Sequence, residues 1–266
     1  MRELEAVVRT DVGLVRSLNE DAFLVLPERD LFVVADGMGG HNSGDVASQI
    51  TVSSMMSFYE DDELTAELKK RHRKIRRRNP ESALPKNFME YRMGKAIESA
   101  NYSIFSTAQR IPKYRDMGTT VVAMHFVGSR VYIGWVGDSR VYRIRGGKIS
   151  QLSEDHSLAN EYVRMNILRK EDIRTFPYKN VIVRALGLAG EVEVDTVYRN
   201  SKEGDIYLCC SDGLTDLVED QDILDVVQQH DGDLNGAADE LVTKANEAGG
   251  VDNTTVLLVR VGAKKQ

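Results

Sequence analysis

Two cysteines are all that this chain of 266 residues holds, and they stand side by side, Cys209 and Cys210 in IYLCCSD. Adjacent cysteines have poor geometry for a structural disulfide, and so small a supply excludes a disulfide framework; a reducing cytoplasm fits best. No HExxH and no paired CxxC occurs, so zinc lacks its usual donor sets. No G-K-[ST] follows a glycine-rich loop, and GMGGHNSG places Asn42 where a third glycine of G-x-G-x-x-G belongs, which removes both nucleotide-loop classes. No apolar run approaches the length of a membrane span, and MRELEAVVRT lacks the apolar centre of a signal peptide. Repeats and Pro/Ser-rich linkers are missing too, so a single domain over 1–266 is expected.

What is present describes an ordinary acidic globular chain. The formal net charge is −6, from 35 Lys and Arg against 41 Asp and Glu, which gives no reason to expect a nucleic-acid partner. EAVVRTDVG, DAFLVLP and LFVVAD read as short strands. From Asp45 to Tyr59 and from Phe88 to Gln109 the apolar period becomes helical, with Met93, Ala96, Ile97, Ala100, Ile104, Phe105 and Ala108 in one stripe. Strands resume at TTVVAMHFV, RVYIGWVG and SRVYRIRGGKIS, the last turning a hairpin through Gly146 and Gly147. NVIVRALG, EVDTVYR, DIYLCCSDG and TTVLLVRVG read as further strands, with helical patterns between Glu219 and Ala248. Short turns between successive strands predict antiparallel sheets, and the grouped helices are expected outside them.

Two segments interrupt the pattern. A charged insertion at about 60–86 contains KKRHRKIRRR, Lys69 to Arg78. Docking to an acidic partner, anionic lipid or nucleic acid is one reading; a solvated helix end is preferred, because Asp61, Asp62 and Glu63 precede the bases in the order a helix dipole favours. A second polar, helix-prone segment runs over 157–179, and there Leu158, Tyr162, Met165 and Leu168 keep helical spacing suited to packing on a sheet edge.

An acid at a strand edge occurs three times: Asp36 in VVADG, Asp212 in CCSDG and Asp252 in GGVDN. Taken singly, Asp-Gly is more often a turn or a cap. Three such acids brought to one end of a sheet pair would repel one another, and a hard divalent cation with oxygen ligands, Mg²⁺ or Mn²⁺, would hold them ionised.

GLVRSLNEDAF, ADGMGGH, MGTTVVA, VGDSRVYR, SEDHS, VIVRALG, CSDGLTD and VDNTTVLL, in this order from Gly13 to Leu258, resemble the bacterial branch of the metal-dependent, type 2C (PPM) serine/threonine protein phosphatases. The resemblance implies an α+β fold, a central sandwich of two antiparallel β-sheets flanked by helices, with a metal site at one end. It implies hydrolysis of phosphoserine and phosphothreonine by a hydroxide bridging two Mn²⁺ or Mg²⁺ ions, with no covalent intermediate. Asp36 is then the bridging ligand, the Gly37 carbonyl a ligand of one ion, and Asp212 and Asp252 ligands of the other. Glu20 and Asp21 would hold metal-bound waters, with Asn253 supporting the ligands, and Arg16 would grip the substrate phosphate. Asp116 with Asp212 would hold a third, weaker ion. Met38 stands where many eukaryotic members carry a histidine that protonates the leaving alcohol; His41 and metal-bound water are the candidates for that task, and His156 is read as structural.

The segment 157–179 corresponds to a flap beside the metal site, where Arg164, Arg169, Lys170 and Arg174 would meet acidic phosphopeptides. Expected partners are phosphoproteins made by a serine/threonine kinase, and the chain is expected to be a monomer. Two alternatives were weighed. GDSR, Gly137 to Arg140, is similar to the start of a serine-esterase motif, but the late Asp-x-x-His of that family is absent. A catalytically weak, partner-binding member of the same fold should have lost metal ligands, whereas Asp36, Asp212, Asp252 and Arg16 all stand.

Overall fold

The computed structural model describes residues 2–39 and 43–264. His41 lies outside the described residues. One sheet has the strand order β1-β11-β10-β7-β8, formed by β1 (Arg2–Asp11), β7 (Arg140–Arg145), β8 (Lys148–Gln151), β10 (Ile206–Cys210) and β11 (Thr254–Lys264). The other runs β2-β3-β5-β6-β9, from β2 (Asp21–Leu26), β3 (Leu31–Met38), β5 (Val121–Val127), β6 (Arg130–Val136) and β9 (Asp195–Asn200), and the short β4 (Gly118–Thr119) also pairs with β3. Every one of these pairings is antiparallel.

Three apolar layers explain why the central strands are apolar at nearly every position. On β3, Leu31, Val33 and Ala35 face helices α1 (Gly44–Glu60) and α3 (Phe88–Arg110), where they meet Met55, Met93 and Ile97. Phe32 and Val34 point the other way and join Met124, Ile133, Tyr207 and Leu257 between the sheets. On the far side, Leu208, Cys210, Val256 and Leu258 pack under α6 (Asp220–Gln229) and α7 (Leu234–Glu247). A strand buried on both faces loses the in-out alternation and reads as a continuous apolar run. The same alternation sends the Cys209 and Cys210 side chains into different layers, so they cannot pair. The fold is the helix-sheet-sheet-helix sandwich that the family resemblance implies, and it agrees with the antiparallel sheets and outer helices expected from the element pattern.

Three expectations need correcting. NVIVRALG is not a strand: residues 180–187 make only isolated bridges, Ser157 with Ile182 and Thr119 with Leu186. Val181 and Val183 are exposed, so the alternation that suggested a strand has no second layer to face. Phe105 is half-buried at the margin of the α3 stripe. In the segment 157–179, α4 (Leu158–Arg164) stops one residue before Met165, which is 62% exposed; its buried anchor is Ala159.

The basic run forms most of α2 (Asp62–Arg78), whose first turn is capped by Asp61 accepting from the Leu64 backbone N–H at 2.7 Å. Leu68 and His72 are its buried residues, with the His72 ring 4.8 Å from that of Tyr91 on α3 and its Nε2 bonded to the Pro85 carbonyl.

The layer between the sheets joins two otherwise separate surfaces, so truncating it should weaken the whole sandwich. Leu257→Ala, at a side chain with no exposure, is expected to lower unfolding stability by about 2–5 kcal/mol in chemical denaturation, the range for emptying a leucine site in a core.

Candidate active site

The β2–β3 register sets Asp21 directly opposite Asp36, at the end of both strands where the sandwich opens. Beyond Asp36 the chain needs a glycine. A Cβ on Gly37 would lie 2.1 Å from the Gly44 carbonyl oxygen and 2.6 Å from that of Glu20, because the first turn of α1 is pressed against the strand end. Gly37 N–H donates to the Glu20 carbonyl at 3.1 Å, and the Glu20 carboxylate accepts from Gly44 N–H at 3.0 Å. Glu20 therefore caps α1 and locks helix, strand and the NED segment together.

The remaining acids arrive from other strand ends. Asp212 follows β10 and opens the short helix α5 (Asp212–Thr215); Asp252 precedes β11, the neighbour of β10. A further acid, Asp138, sits in the turn between β6 and β7 and is 8% exposed. Asp21 is also buried, whereas Asp36 and Asp212 are enclosed by protein yet keep an accessible edge, as at the floor of a cleft.

This grouping costs free energy, and the ionisation of the acids records it. Burial, then the charges of Asp21, Asp212 and Asp138, pushes the Asp36 carboxyl well above the usual carboxylate range. Burial does the same to Asp138, reinforced by Asp212. Asp21 is raised to about 7, chiefly by burial, and Asp212 to about 6 by burial and by the charges of Asp216 and Asp252. Three carboxylate oxygens, Asp21 Oδ1, Asp138 Oδ1 and Asp212 Oδ1, are buried without a hydrogen-bond partner. Buried acceptors are normally satisfied, so three unsatisfied ones in one cluster mark a place made for a cation.

The acids are neighbours and not a closed cage: among the described residues no three acidic, histidine or cysteine side chains converge on one point. All donors in the set are oxygens, which suits Mg²⁺ or Mn²⁺ and not zinc.

Hydroxyl groups fix the acids from behind. Asp21 Oδ2 accepts from Ser211 Oγ at 2.8 Å and Thr255 Oγ1 at 2.6 Å. The Asp36 carbonyl accepts from Thr120 N–H and Thr119 Oγ1, both at 2.8 Å, while its own N–H donates to Thr120 Oγ1 at 3.1 Å. Thr120 Oγ1 in turn bonds Ser139 Oγ at 2.7 Å. Ser139, the serine of GDSR, is thus buried and held by a threonine, with no histidine to activate it.

Arg16 stands at the rim. Its Nη2 donates to Asp252 Oδ2 at 2.7 Å, and half of its side-chain surface is exposed. Asn253 secures the loop that carries it: Nδ2 donates to the carbonyls of Val12 at 2.9 Å and Leu18 at 3.0 Å, and Oδ1 accepts from Glu20 N–H at 2.7 Å. Asp116 is exposed, with a left-handed backbone (φ 65°) two residues before β4, and no hydrogen bond or ion pair joins it to the acid cluster among the described residues.

Beside the acids, a cavity of about 690 Å³ is lined by Asp138, Asp212 and Asp216 and, from the segment 157–179, by Lys170, Arg174 and Lys179. The cations of this segment are largely committed. Arg164 pairs with Glu154 and Glu161, Arg169 with Asp172 at 2.7 Å, and Arg174 with Glu219 across the cavity. Lys170 makes no ion pair among the described residues. At the root of the segment His156 is buried: Nδ1 accepts from Gly137 N–H at 3.1 Å, so the ring proton lies on Nε2, which donates to Asp195 Oδ2 at 2.7 Å. His156 therefore ties the turn bearing Asp138 to the start of the flap and is spoken for structurally.

Sequence reading missed Asp138, Ser211, Thr255, Thr119 and Thr120. A signal for Asp138 existed, since VGDSR places an acid just past a strand as VVADG and CCSDG do.

A family model described as protein phosphatase 2C matches residues 15–242. The chain belongs to that family. It is 39% identical to the serine/threonine phosphatase Stp of Listeria welshimeri over 261 residues, 96% of this chain and 95% of that protein. The crystal structure of the Mycobacterium tuberculosis serine/threonine phosphatase PstP/Ppp superposes with a TM-score of 0.84 at 31% identity, covering 99% of this chain and 100% of that one. A structure of the PstP catalytic domain in complex with two manganese ions does so with a TM-score of 0.81, also at 31% identity and over 99% of this chain and 100% of that one. The enzyme is a metal-dependent hydrolase of this family.

Gly37 has no room for a side chain against backbone atoms on two sides. Gly37→Ala is expected to push α1 away from β3, lowering Mn²⁺ affinity in calorimetry by more than tenfold; unchanged affinity would show that the contact is not needed to set the site.

Proposed function

We infer that the protein is a serine/threonine protein phosphatase that cleaves phosphoserine and phosphothreonine monoesters with water as the nucleophile. The observation that carries the reading is the cluster of acids with three unpartnered buried oxygens, set beside a half-exposed arginine at the mouth of the cleft. Mn²⁺ or Mg²⁺ would be held by Asp36, Asp212 and Asp252 with the Gly37 carbonyl, backed by Asp21 and Glu20, and a third ion by Asp116 with Asp212. Such ions supply Lewis-acid activation of water and of the phosphoryl oxygens.

The chain's own residues do the rest. Arg16 offers a planar fork of donors matched to two phosphate oxygens, and its present partner Asp252 holds it at the rim where a phosphate would enter. Thr119 and Thr120 fix the backbone of Asp36, and Ser211 and Thr255 keep the Asp21 carboxylate from turning, so that little reorganisation is needed as charge develops. A covalent route has no candidate. Burial raises the Cys209 thiol well above its ordinary range and pushes Cys210 up to about 12, so neither forms a thiolate, and Ser139 lacks a base. His156 is held by Gly137 and Asp195, which leaves His41 and metal-bound water as the candidates for protonating the leaving alcohol.

The substrates proposed are phosphoproteins made by a serine/threonine kinase, met in the cytoplasm by a monomeric enzyme. No described helix is long and apolar enough to cross a membrane.

Hydrolysis of p-nitrophenyl phosphate is expected to require added Mn²⁺ or Mg²⁺ and to cease in EDTA. Asp36→Asn should lower kcat by about 10²-fold or more with an unchanged circular dichroism spectrum. Full activity in EDTA or in the variant would overturn the metal reading.

A second expectation concerns the flap. Since Arg169 is neutralised by Asp172 while Lys170 faces the cavity unpaired, Lys170→Glu should lower the preference for acidic over neutral phosphothreonine peptides about 3–10-fold in kcat/KM, and Arg169→Glu should lower it less. Equal effects would show that the flap presents its charge as a whole.

A further inference from the structure

Leu14 and Val15, immediately before Arg16, are 70% and 68% exposed, and Val251, immediately before Asp252, is 49% exposed. Isolated surface apolar residues need no explanation, but these three flank both members of the Arg16–Asp252 ion pair. Their backbone is fixed. Leu14 and Val15 N–H both donate to the Gly250 carbonyl, at 2.7 and 3.3 Å, and Asn253 holds the carbonyls of Val12 and Leu18. Gly13 N–H donates to Asp11 Oδ1, which also accepts from Asn246 Nδ2. Gly250, with φ 52°, lies so close beneath Leu14 that a Cβ there would come within 2.8 Å of Leu14 Cγ. The segment is therefore a rigid apolar rim on two tied loops.

We propose that Leu14, Val15 and Val251 form a subsite for the residues flanking the phosphorylated side chain, selecting apolar neighbours. This rests on the phosphatase reading above. Covalent geometry supplies the occupant. A phosphate gripped by Arg16 brings its own backbone with it, and in an extended substrate each neighbouring residue is about 3.3–3.6 Å further along. Residues next to the phosphorylated one then lie within reach of the positions next to Arg16 and Asp252 in this chain. Apolar side chains in that place lose water contact against Leu14, Val15 and Val251, whereas serine or aspartate gains nothing there. None of Leu14, Val15 and Val251 lines the cavity between the acids and segment 157–179, so that segment's charges and this rim are separate features of the site.

The test is a matched pair of phosphothreonine peptides, with leucine on both sides of the phosphothreonine in one and serine in the other, assayed with Mn²⁺. The unaltered enzyme is expected to favour the leucine peptide about 5–10-fold in kcat/KM, the low end for an apolar contact because an open rim covers one side only. In Leu14→Ser with Val15→Ser the ratio should fall to about one, and in Leu14→Met with Val15→Ile it should be kept. A ratio near one in the unaltered enzyme overturns the proposal, as does a ratio that survives in the serine variant; a variant damaged in structure would lose both peptides alike and retain the ratio. If the unaltered enzyme turned over neither peptide, the phosphatase reading itself would fail and this subsite with it.

Discussion

Mutual repulsion among carboxylates is the constraint around which the molecule is arranged. Asp21, Asp36, Asp138 and Asp212 are drawn to one end of the sandwich and removed from water, and the charged form of each is penalised by burial and by its neighbours. A chain does not collect such groups by accident, because every one of them lowers the stability of the fold unless a cation offsets it. What holds them in place is strand pairing. Asp21 and Asp36 are cross-strand partners, and Asp212 and Asp252 flank paired strands β10 and β11, so separating the acids would mean breaking ladders.

The sandwich is suited to this because its central strands are buried on both faces. Strands fixed by two apolar layers cannot slip register without exposing both, and a slip of one residue would turn Asp36 away from the cleft. The hydroxyls of Thr119, Thr120, Ser139, Ser211 and Thr255 add a second restraint of local reach. They neutralise no charge, but Ser211 and Thr255 hold one Asp21 carboxylate oxygen, Thr119 and Thr120 hold the Asp36 backbone with Ser139 behind Thr120, and other carboxylate oxygens are left free.

How much of this was legible in the sequence follows from which residues leave a pattern there. Asp36 and Asp212 were visible because an acid at the end of an apolar strand is conspicuous, and Asp252 because it stands just before one. Asp138 carries the same mark, yet GDSR invited comparison with an esterase. The hydroxyl residues were invisible for another reason: Thr and Ser in TTVVAM and DNTT read as strand formers or turn residues, and their bonds link positions up to 234 apart in the chain. The layer order was readable because the helical stripe of α3 and the unbroken apolar strands each require a partner surface. NVIVRALG misled because alternation reports a strand only where one face has something to pack on.

The flap and the acids are joined by charge as well as by position. Asp216 is held by Lys179 at 3.3 Å and by the Asn180 amide, both at the C-terminal root of the flap, while the charge of Asp216 is, after burial, the largest influence raising the Asp212 carboxyl. A second tie, Arg174 to Glu219, crosses the same cavity. Lys179, 3.3 Å from Asp216, offsets part of the field that Asp216 directs at Asp212. A surface cation is thereby felt at the acid cluster through Asp216. The segment 157–179 thus bears on the acids by charge as well as by lining the cavity beside them.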